Sequence, residues 1–268
     1  MSQNSQDCDS KYNWNELISS ADVWMLCTNE ISPGSLDDVC FSWLSAEEQA
    51  HCATFRTERS RHDYLATRAL CRSTLSRYAD VDPADWSFRA GWNGKPEVTG
   101  PAQFTSLRFN LARTSGLVVC AVSRAGEIGV DAEETSRSID VAQMARHFLS
   151  RREQALIEGL SANQRRERLF EQWVVREAYF KGRGTGIALA PERFTIEFDE
   201  NGQPLPVGTW HLFVTRPSAT HIAALAVCQR LDSPRIRVEW LRADDMIHGA
   251  RGKATVKLIS GRCETAEL

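Results

Sequence analysis

The sequence has no strong excess of charge of either sign. Its 268 residues include 32 Lys and Arg against 35 Asp and Glu, which gives a formal net charge of −3. Such a balance gives no argument for nucleic acid or a membrane surface as a partner. The sequence also has no apolar run long enough to cross a bilayer, and residues 1–11 lack the apolar segment of a signal peptide. We therefore expect neither a nucleic-acid partner nor a membrane partner.

The cysteine pattern lacks the paired spacing of a disulfide framework or a zinc site. The eight cysteines form no C-x-x-C pair, and several of them, such as Cys71, Cys120 and Cys228, lie inside apolar stretches. This pattern is typical of buried free thiols in a reducing compartment. We therefore expect a cytoplasmic protein, and we expect it to be a monomer.

Two acidic side chains share one face of a strand predicted within residues 126–133, G-E-I-G-V-D-A-E. Ile128 and Val130 point to one side of the strand, while Asp131 and Glu133 point to the other. A strand that buries one face and presents two carboxylates on the other resembles half of a magnesium site. Mg²⁺ favours one or two carboxylates together with waters and phosphate oxygens. The alternative is an edge strand that ends in solvated acids.

A helix is predicted over residues 162–182, and one stripe of this helix carries polar groups. Leu169, Trp173, Glu177 and Lys181 follow one another at intervals of four residues and therefore share one side of the helix. Glu177 could bring a third carboxylate to the two on the strand. The alternative is a surface helix with an ordinary Glu177–Lys181 ion pair, worth a few tenths of a kcal/mol.

Together the two stretches resemble the 4′-phosphopantetheinyl transferases of the Sfp type. That family carries G-[IV]-D-x-E followed, roughly forty residues later, by W-x-x-[KR]-E-A-x-x-K-x-x-G-x-G. Here the first motif reads G-V-D-A-E at 129–133 and the second reads W-V-V-R-E-A-Y-F-K-G-R-G-T-G at 173–186. The resemblance covers roughly residues 44–230, and both motifs in this order are highly specific.

The resemblance implies a reaction and a metal site. A serine hydroxyl of an apo acyl or peptidyl carrier protein attacks the β-phosphorus of coenzyme A, and adenosine 3′,5′-bisphosphate leaves. Asp131, Glu133 and Glu177 would hold Mg²⁺ on the pyrophosphate, with Glu177 as metal ligand or as base. Lys181 would stabilise phosphate charge, so the implied catalytic set is Glu177, Asp131 and Lys181. Trp173 is interpreted as a core anchor of the helix.

The resemblance also implies contacts with coenzyme A. The turn Gly94-Lys95-Pro96 matches a turn that contacts the coenzyme in the family, although an exposed lysine in a turn is usually only solvated. Arg59 matches a basic residue that meets the 3′-phosphate, and the alternative is a solvated helix arginine. Lys181 is counted among the coenzyme contacts because of its phosphate role.

One segment departs from the family pattern. Residues 109–114 read F-N-L-A-R-T, where the family has F-N-[IL]-S-H-[ST]. Ala112 lacks the hydroxyl that could bond a phosphate. Arg113 has a fixed positive charge where a histidine would titrate near neutral pH, so we expect Arg113 to bind the pyrophosphate. The departure leaves open a non-catalytic scaffold that binds coenzyme A or another nucleotide, and a Mg²⁺-dependent pyrophosphate hydrolase is a more distant alternative.

A weak internal repeat predicts two similar α+β lobes related by a pseudo-twofold axis, with the active site in the cleft between them. Six turn and strand residues between Pro83 and Pro96 recur 108 positions later. The predicted organisation is a disordered tail at 1–20, an N-terminal lobe at 21–125, a C-terminal lobe with the carboxylates at 126–243, and a C-terminal tail at 244–268. We also predict a hairpin of strands 117–122 and 127–133, and a strand at 194–198.

Overall fold

The structure is a computed structural model that describes residues 14–32, 34–91, 94–186, 194–229, 234–247 and 255–259. Its α-helices are α1 (Asp37–Ser42), α2 (Ala46–Ala53), α3 (Glu58–Ser76), α4 (Val141–Phe148), α5 (Arg151–Glu158), α6 (Ala162–Arg183) and α7 (Ala243–Ile247). Its strands are β1 (Ser20–Cys27), β2 (Ser87–Ala90), β3 (Pro96–Gly100), β4 (Arg108–Thr114), β5 (Leu117–Ser123), β6 (Ile128–Glu134), β7 (Trp210–Ser218), β8 (His221–Cys228), β9 (Arg235–Trp240) and β10 (Thr255–Ile259). In the described part, no helix is both long enough and apolar enough to span a membrane.

Two units of the same topology make up the fold. In the first unit, β5 lies between β1 and β4 and pairs antiparallel with both. In the second unit, β8 lies between β6 and β7 and also pairs antiparallel with both. A long helix packs on each sheet, α3 on the first and α6 on the second. The predicted pair of similar α+β lobes is therefore confirmed by strand order.

The same capping device precedes the long helix in each unit. Ser45 and Glu48 form a capping box at the start of α2, and Ser150 and Glu153 form one at the start of α5. In each box the serine side chain accepts from the N3 amide and the glutamate side chain accepts from the N-cap amide. An arginine then binds the capping glutamate, Arg72 at 2.7 Å from Glu48 in the first unit and Arg176 at 2.8 Å from Glu153 in the second.

Apolar side chains form separate layers on the two faces of each sheet. One layer lies between α3 and the first sheet and includes Trp24, Leu70 and Phe109. A second layer lies between the two sheets and includes Val130, and a third, between α6 and the second sheet, includes Val174. Alternation along β6 therefore places Val130 between the sheets and leaves its neighbours facing α6.

The predicted hairpin of strands 117–122 and 127–133 is wrong. β6 pairs with β8, whereas β5 pairs with β1 and β4, so no edge of β5 remains free for β6. Side chains of β4 join the two sheets instead. The amide of Val130 donates to Asn110 Oδ1 at 2.9 Å, and the amide of Glu134 donates to Thr114 Oγ1 at 3.0 Å.

The predicted strand at 194–198 is also wrong. It is reduced to one isolated bridge between Phe198 and Pro204. Two of its backbone groups bond to side chains, since the Phe194 carbonyl accepts from Arg176 and the Ile196 amide donates to Glu153. The Glu197 carbonyl accepts from the amide of Leu205. Ring stacking of Phe194 on Tyr179, with centroids 4.4 Å apart, holds the segment against α6.

The lobe boundaries remain a prediction, but the strand order shows that the chain returns to the first sheet after the second unit. β9 pairs parallel with β1, and β10 pairs with β9, so the segment after the second unit extends the first sheet to five strands. Most of the predicted C-terminal tail, and residues 1–13 of the predicted N-terminal tail, lie outside the described residues. Leu17 falls within the predicted N-terminal tail, and its side chain is fully buried. The six described cysteines are free thiols, as predicted: Cys27, Cys40, Cys52, Cys71, Cys120 and Cys228.

Candidate active site

The site is built where β6 lies against α6, and a glycine makes the close approach possible. A Cβ placed on Gly129 would be 2.0 Å from the carbonyl oxygen of Ala178 and 2.2 Å from the amide nitrogen of Gly182. Both atoms belong to the backbone of α6 and cannot swing away. The glycine therefore allows the strand to touch the helix, and Asp131 follows it on the same face.

We expect Gly129→Ala to lower the free energy of unfolding by about 3 kcal/mol, since overpacking against backbone cannot be relieved by a rotamer change. Chemical denaturation of the purified variant measures this loss. Gly159→Ala is the matched control, because nothing lies within 4 Å of a Cβ at that position and its φ of −76° suits any residue. Equal stability of the two variants would show that β6 and α6 are not in contact at Gly129.

Asp131 forms a short ion pair with the lysine of α6. Lys181 Nζ lies 2.6 Å from Asp131 Oδ1, whereas the buried Oδ2 has no hydrogen-bond partner among the described residues. Burial raises the pKa of Asp131 to about 6, with a further rise from the Glu133 carboxylate, while Lys181 acts in the opposite direction. The ionised carboxylate is thus incompletely compensated, and one of its oxygens is still available for a ligand.

Glu177 lies half-buried beside the same carboxylates. Burial raises its pKa to about 7, Asp131 and Glu133 add to the rise, and Lys181 lowers it. The two neighbouring carboxylates therefore oppose ionisation of Glu177, and a cation would relieve this repulsion. Within the part of the chain that the structure describes, no residue donates a hydrogen bond to the Glu177 carboxylate.

Glu133 differs from the other two carboxylates because both of its oxygens have partners. Trp173 Nε1 donates to Oε1 at 2.9 Å, and Arg137 Nη2 lies 3.4 Å from Oε2. Across the described ranges, no three His, Cys, Asp or Glu side chains converge as a ready-made metal centre. The three predicted ligands are thus neighbours that do not meet at one point in this arrangement.

Asp131 and Glu177 nevertheless fit a hard divalent cation. They offer only oxygen ligands, one buried oxygen has no partner, and the repulsion between the two carboxylates would be offset by positive charge. Lys181 supplies a fixed positive charge at the same place. The arrangement can therefore bind an anionic group such as a phosphate through a cation and an ammonium group together.

The predicted nucleotide contacts are spread along the first lobe. Arg113 on β4 is exposed, and its guanidinium lies 5.9 Å from the centre of the Phe55 ring. Arg59 donates to Asn29 Oδ1 at 2.9 Å and pairs with Asp63 at 3.0 Å, so this arginine is held near the end of β1. The structure brings neither arginine into contact with the carboxylates of the second lobe.

Ala112 and Lys95, two further predicted coenzyme contacts, both contact other parts of the protein. The Ala112 side chain is buried between the sheets, which leaves only its backbone for a ligand. Lys95 Nζ lies 2.6 Å from Glu127 and 2.8 Å from the carbonyl of Gly182, so this side chain links the first lobe to the end of α6. Gly94 has a φ of +78° and Pro96 begins β3, while residues 92 and 93 lie outside the described part.

Sequence reasoning missed the residues that surround Glu133. It assigned Trp173 to the core alone, although the indole N–H bonds the acid, and it did not consider Arg137. A spacing of four residues, such as that of Glu133 and Arg137, predicts a side-chain contact only in a helix. This segment is instead the end of a strand and a turn. Arg176 turns away from the site and binds Glu153.

Comparison with known proteins identifies the class. The family model described as the 4′-phosphopantetheinyl transferase superfamily matches residues 127–228. The 4′-phosphopantetheinyl transferase HetI of Nostoc sp. is 31% identical over 185 residues, which cover 69% of this chain and 78% of that protein. A 4′-phosphopantetheinyl transferase of Bacillus subtilis is 28% identical over 196 residues, which cover 72% and 84%.

Among solved structures, a holo-(acyl-carrier-protein) synthase of Bacillus anthracis in complex with CoA (3′,5′-ADP) is 21% identical. The match covers 37% of this chain and 92% of that one, with a TM-score of 0.31. The relatives of known class are transferases, and this chain is an enzyme of that kind. The chain belongs to the 4′-phosphopantetheinyl transferase superfamily.

Proposed function

We propose that this chain transfers the 4′-phosphopantetheine group of coenzyme A to a serine of an apo acyl or peptidyl carrier protein, in a Mg²⁺-dependent reaction. The observation that carries the proposal is the Asp131–Lys181 pair with Glu177 beside it, inside the segment that matches the family. We also place the enzyme in the cytoplasm, since its described cysteines are free thiols.

The reaction forms one bond and breaks one bond. The serine Oγ forms a bond to the β-phosphorus of coenzyme A, and the bond from that phosphorus to the bridging oxygen breaks. The bridging oxygen leaves as part of adenosine 3′,5′-bisphosphate. The serine proton passes through a water that the Glu177 carboxylate orients and is released to solvent, because a hydroxyl must lose its proton to become a good nucleophile.

The residues of the second lobe bind the reacting pyrophosphate. Asp131 and Glu177 would hold Mg²⁺, and the ion would supply positive charge that offsets part of the pyrophosphate charge. The Lys181 ammonium group is fixed at 2.6 Å from Asp131 and is one-third exposed, so it can donate to a phosphate oxygen while it keeps that pair. Such a preorganised cation stabilises the charge that moves onto the leaving oxygen.

Arg113 is proposed to bind the coenzyme in the ground state. We expect Arg113→Ala to raise KM for coenzyme A about tenfold and to change kcat much less, because a hydrogen bond to a charged group contributes about 1.5 kcal/mol or more in both states. Steady-state kinetics at varied coenzyme A measures the two constants. Arg89→Ala is the matched control, since Arg89 is an exposed arginine of the same lobe that pairs with Glu97. A normal KM with a collapsed kcat would contradict the assignment.

A histidine at the same position gives a pH test of the charge. Arg113→His should bind coenzyme A well below the pKa of the imidazole, near 6.5, and progressively less well as pH rises through it, because only the protonated ring is cationic. The unsubstituted enzyme keeps its guanidinium charge throughout this range.

Intact mass spectrometry of carrier proteins tests the proposed function. Each apo carrier of a panel is incubated with the enzyme, coenzyme A and Mg²⁺, and a carrier that is a substrate gains the mass of one phosphopantetheine group. No gain on any fatty-acid, polyketide or nonribosomal-peptide carrier, with coenzyme A bound, would favour the non-catalytic scaffold. The presence of Asp131, Glu177 and Lys181 together argues against that alternative.

A further inference from the structure

We infer that Asn110 is a positioning residue, which fixes the strand that carries Asp131 against the first lobe. The inference rests on the proposed function for the reaction that this position serves. Asn110 lies on β4, the strand that also carries Arg113, and its Oδ1 accepts from the amide of Val130 on β6 at 2.9 Å. One side chain thus connects the strand proposed to bind coenzyme A with the strand of the carboxylates.

The first support is that one edge of β6 has no strand partner. The amide of Cys228 donates to the carbonyl of Glu127, and the amide of Thr135 donates to the carbonyl of Thr220, both at 2.8 Å. Bonded residues alternate along an antiparallel pair, so the odd-numbered residues from 127 to 135 bond to β8. The amides of the even-numbered residues from 128 to 134 therefore point away from β8, to the side where β4 lies.

Two side chains of β4 bond to this edge of β6 in place of a strand. Besides the bond between Asn110 and Val130, the amide of Glu134 donates to Thr114 Oγ1 at 3.0 Å. Both bonds connect residues that are 20 positions apart, and both amides belong to the set that points away from β8. A buried amide without an acceptor destabilises a fold, so these two side chains determine where β6 lies against β4.

Asn110 forms the bond that is nearer to the site. Val130 directly precedes Asp131, whereas the second bond is at the last residue of β6. The same spacing of 20 places Ala112 opposite Ala132, and an alanine side chain has no acceptor for that amide. The hold of β4 on Asp131 therefore depends on the bond at Val130.

Asn110 is itself held firmly. β4 pairs with β5 along its whole length, and the Asn110 side chain is buried. The neighbouring Phe109 and Leu111 pack on the opposite face, in the layer between the first sheet and α3. An acceptor on a packed strand holds its donor more precisely than an acceptor on a loop does. Oδ1 is therefore a fixed point against which β6 is placed.

A shift of β6 would change the reaction more than it would change binding. Lys181 Nζ lies 2.6 Å from Asp131 Oδ1, so the ion pair depends on the position of the strand. Arg113 would keep its place, because β4 stays in the first sheet. A displacement of about 1 Å between reacting groups can cost about 10²-fold in rate. Loss of the Asn110 bond should therefore lower kcat more than it raises KM for coenzyme A.

Hydrogen exchange of backbone amides tests the bond directly, in ¹⁵N-labelled protein without coenzyme A or metal. We expect the Val130 amide to be protected in the unsubstituted protein and to exchange at least about tenfold faster in Asn110→Ala. The Glu134 amide should keep its protection, because Thr114 is unchanged. A Val130 amide that exchanges equally fast in both proteins would overturn the inference.

Steady-state kinetics separates positioning from stability. Asn110→Ala should lower kcat about tenfold or more and leave KM for coenzyme A within about threefold. Thr114→Val is the matched control, since it keeps the shape of the side chain and removes the other acceptor of the same edge. Its kcat should stay within about threefold of the unsubstituted enzyme. Equal losses of kcat in the two variants, or a raised KM with an unchanged kcat, would overturn the inference.

Asn110→Asp is a second variant that keeps the acceptor. Its side chain has the same shape, and one carboxyl oxygen can accept from the Val130 amide whether or not the group is protonated. We expect this variant to keep both the protection of Val130 and most of kcat. A protected Val130 amide together with a loss of kcat as large as that of Asn110→Ala would overturn the inference. This comparison remains decisive even where Asn110→Ala does not fold.

The exchange measurement uses neither a carrier protein nor coenzyme A. An unsubstituted enzyme that modifies no carrier would therefore contradict the proposed function, while the bond between Asn110 and Val130 could still be measured. Conversely, an Asn110→Ala variant that exposes the Val130 amide and yet transfers at the full rate would overturn the role of Asn110 alone.

Discussion

Replacement of Asp131 by asparagine is expected to reduce the rate of phosphopantetheine transfer about 10³-fold while the protein stays folded. The substitution keeps the shape of the side chain but removes the charge that faces Lys181 at 2.6 Å and that the cation requires. In this variant the Lys181 ammonium group and the proposed Mg²⁺ would lose the same anionic partner. The loss of transfer rate should therefore exceed the loss from a single ordinary hydrogen bond.

The effect of Asp131→Asn is measured as the steady-state rate of transfer to one apo carrier at saturating coenzyme A. Intact mass spectrometry of the carrier follows the transfer. Glu134→Gln is the matched control because Glu134 lies on the same strand, also carries a carboxylate, and bonds Ser136 rather than Lys181. The control should keep nearly full activity. A rate for Asp131→Asn within a few-fold of this control would contradict a catalytic role for Asp131.

The local patterns around the site were predictable from the sequence. Alternation along β6 placed Asp131 on the face opposite Val130, and spacing of four along α6 placed Glu177 and Lys181 on one side. These predictions succeeded because a strand or helix of known type fixes side-chain direction without reference to the rest of the chain. The motif resemblance then identified which of these faces meet.

The pairing of strands could not be read in the same way. The short connection between β5 and β6 is typical of a hairpin, but both edges of β5 are already filled by β1 and β4. One of these edges is filled by β1, whose paired residues lie between 90 (Cys27 and Leu117) and 102 (Ala21 and Ser123) positions before those of β5. The role of Lys95 was hidden for the same reason, because its partners Glu127 and Gly182 belong to the other lobe.

The two lobes share a scaffold, and only one of them carries the carboxylate site. The equivalent capping arginines, Arg72 and Arg176, place the buried Ser73 of α3 at the position of Glu177 in α6. The capping serine and glutamate with their arginine recur in both lobes. The shared residues therefore account for the fold, whereas the residues that differ between the lobes account for the chemistry.

Replacement of Glu177 by glutamine is expected to reduce the transfer rate about 10²-fold at low Mg²⁺, with substantial recovery as Mg²⁺ is raised. Glutamine keeps one oxygen that can bind the cation but lacks the charge, so affinity for Mg²⁺ falls while the geometry survives. Lys181 and a bound cation both favour the ionised form of Glu177, which makes it a good ligand and a weak base. Rates measured across a Mg²⁺ series test this, and an inactive variant that binds Mg²⁺ and coenzyme A normally would instead identify Glu177 as the general base.

Thermal unfolding gives a second test of Glu177→Gln. The substitution lowers activity, but in the metal-free protein it should leave the melting temperature unchanged or raise it. Burial and the neighbouring carboxylates raise the pKa of Glu177 to about 7 in the folded protein, so the folded state binds the proton more tightly than the unfolded state does. Its ionisation therefore lowers stability as pH rises from the unfolded value, near 4.5, through 7. At pH 8 in a chelator, Glu177→Gln should melt at the same temperature as the unsubstituted enzyme or higher. In Mg²⁺ the order should reverse, because only the carboxylate gains the full attraction of the cation.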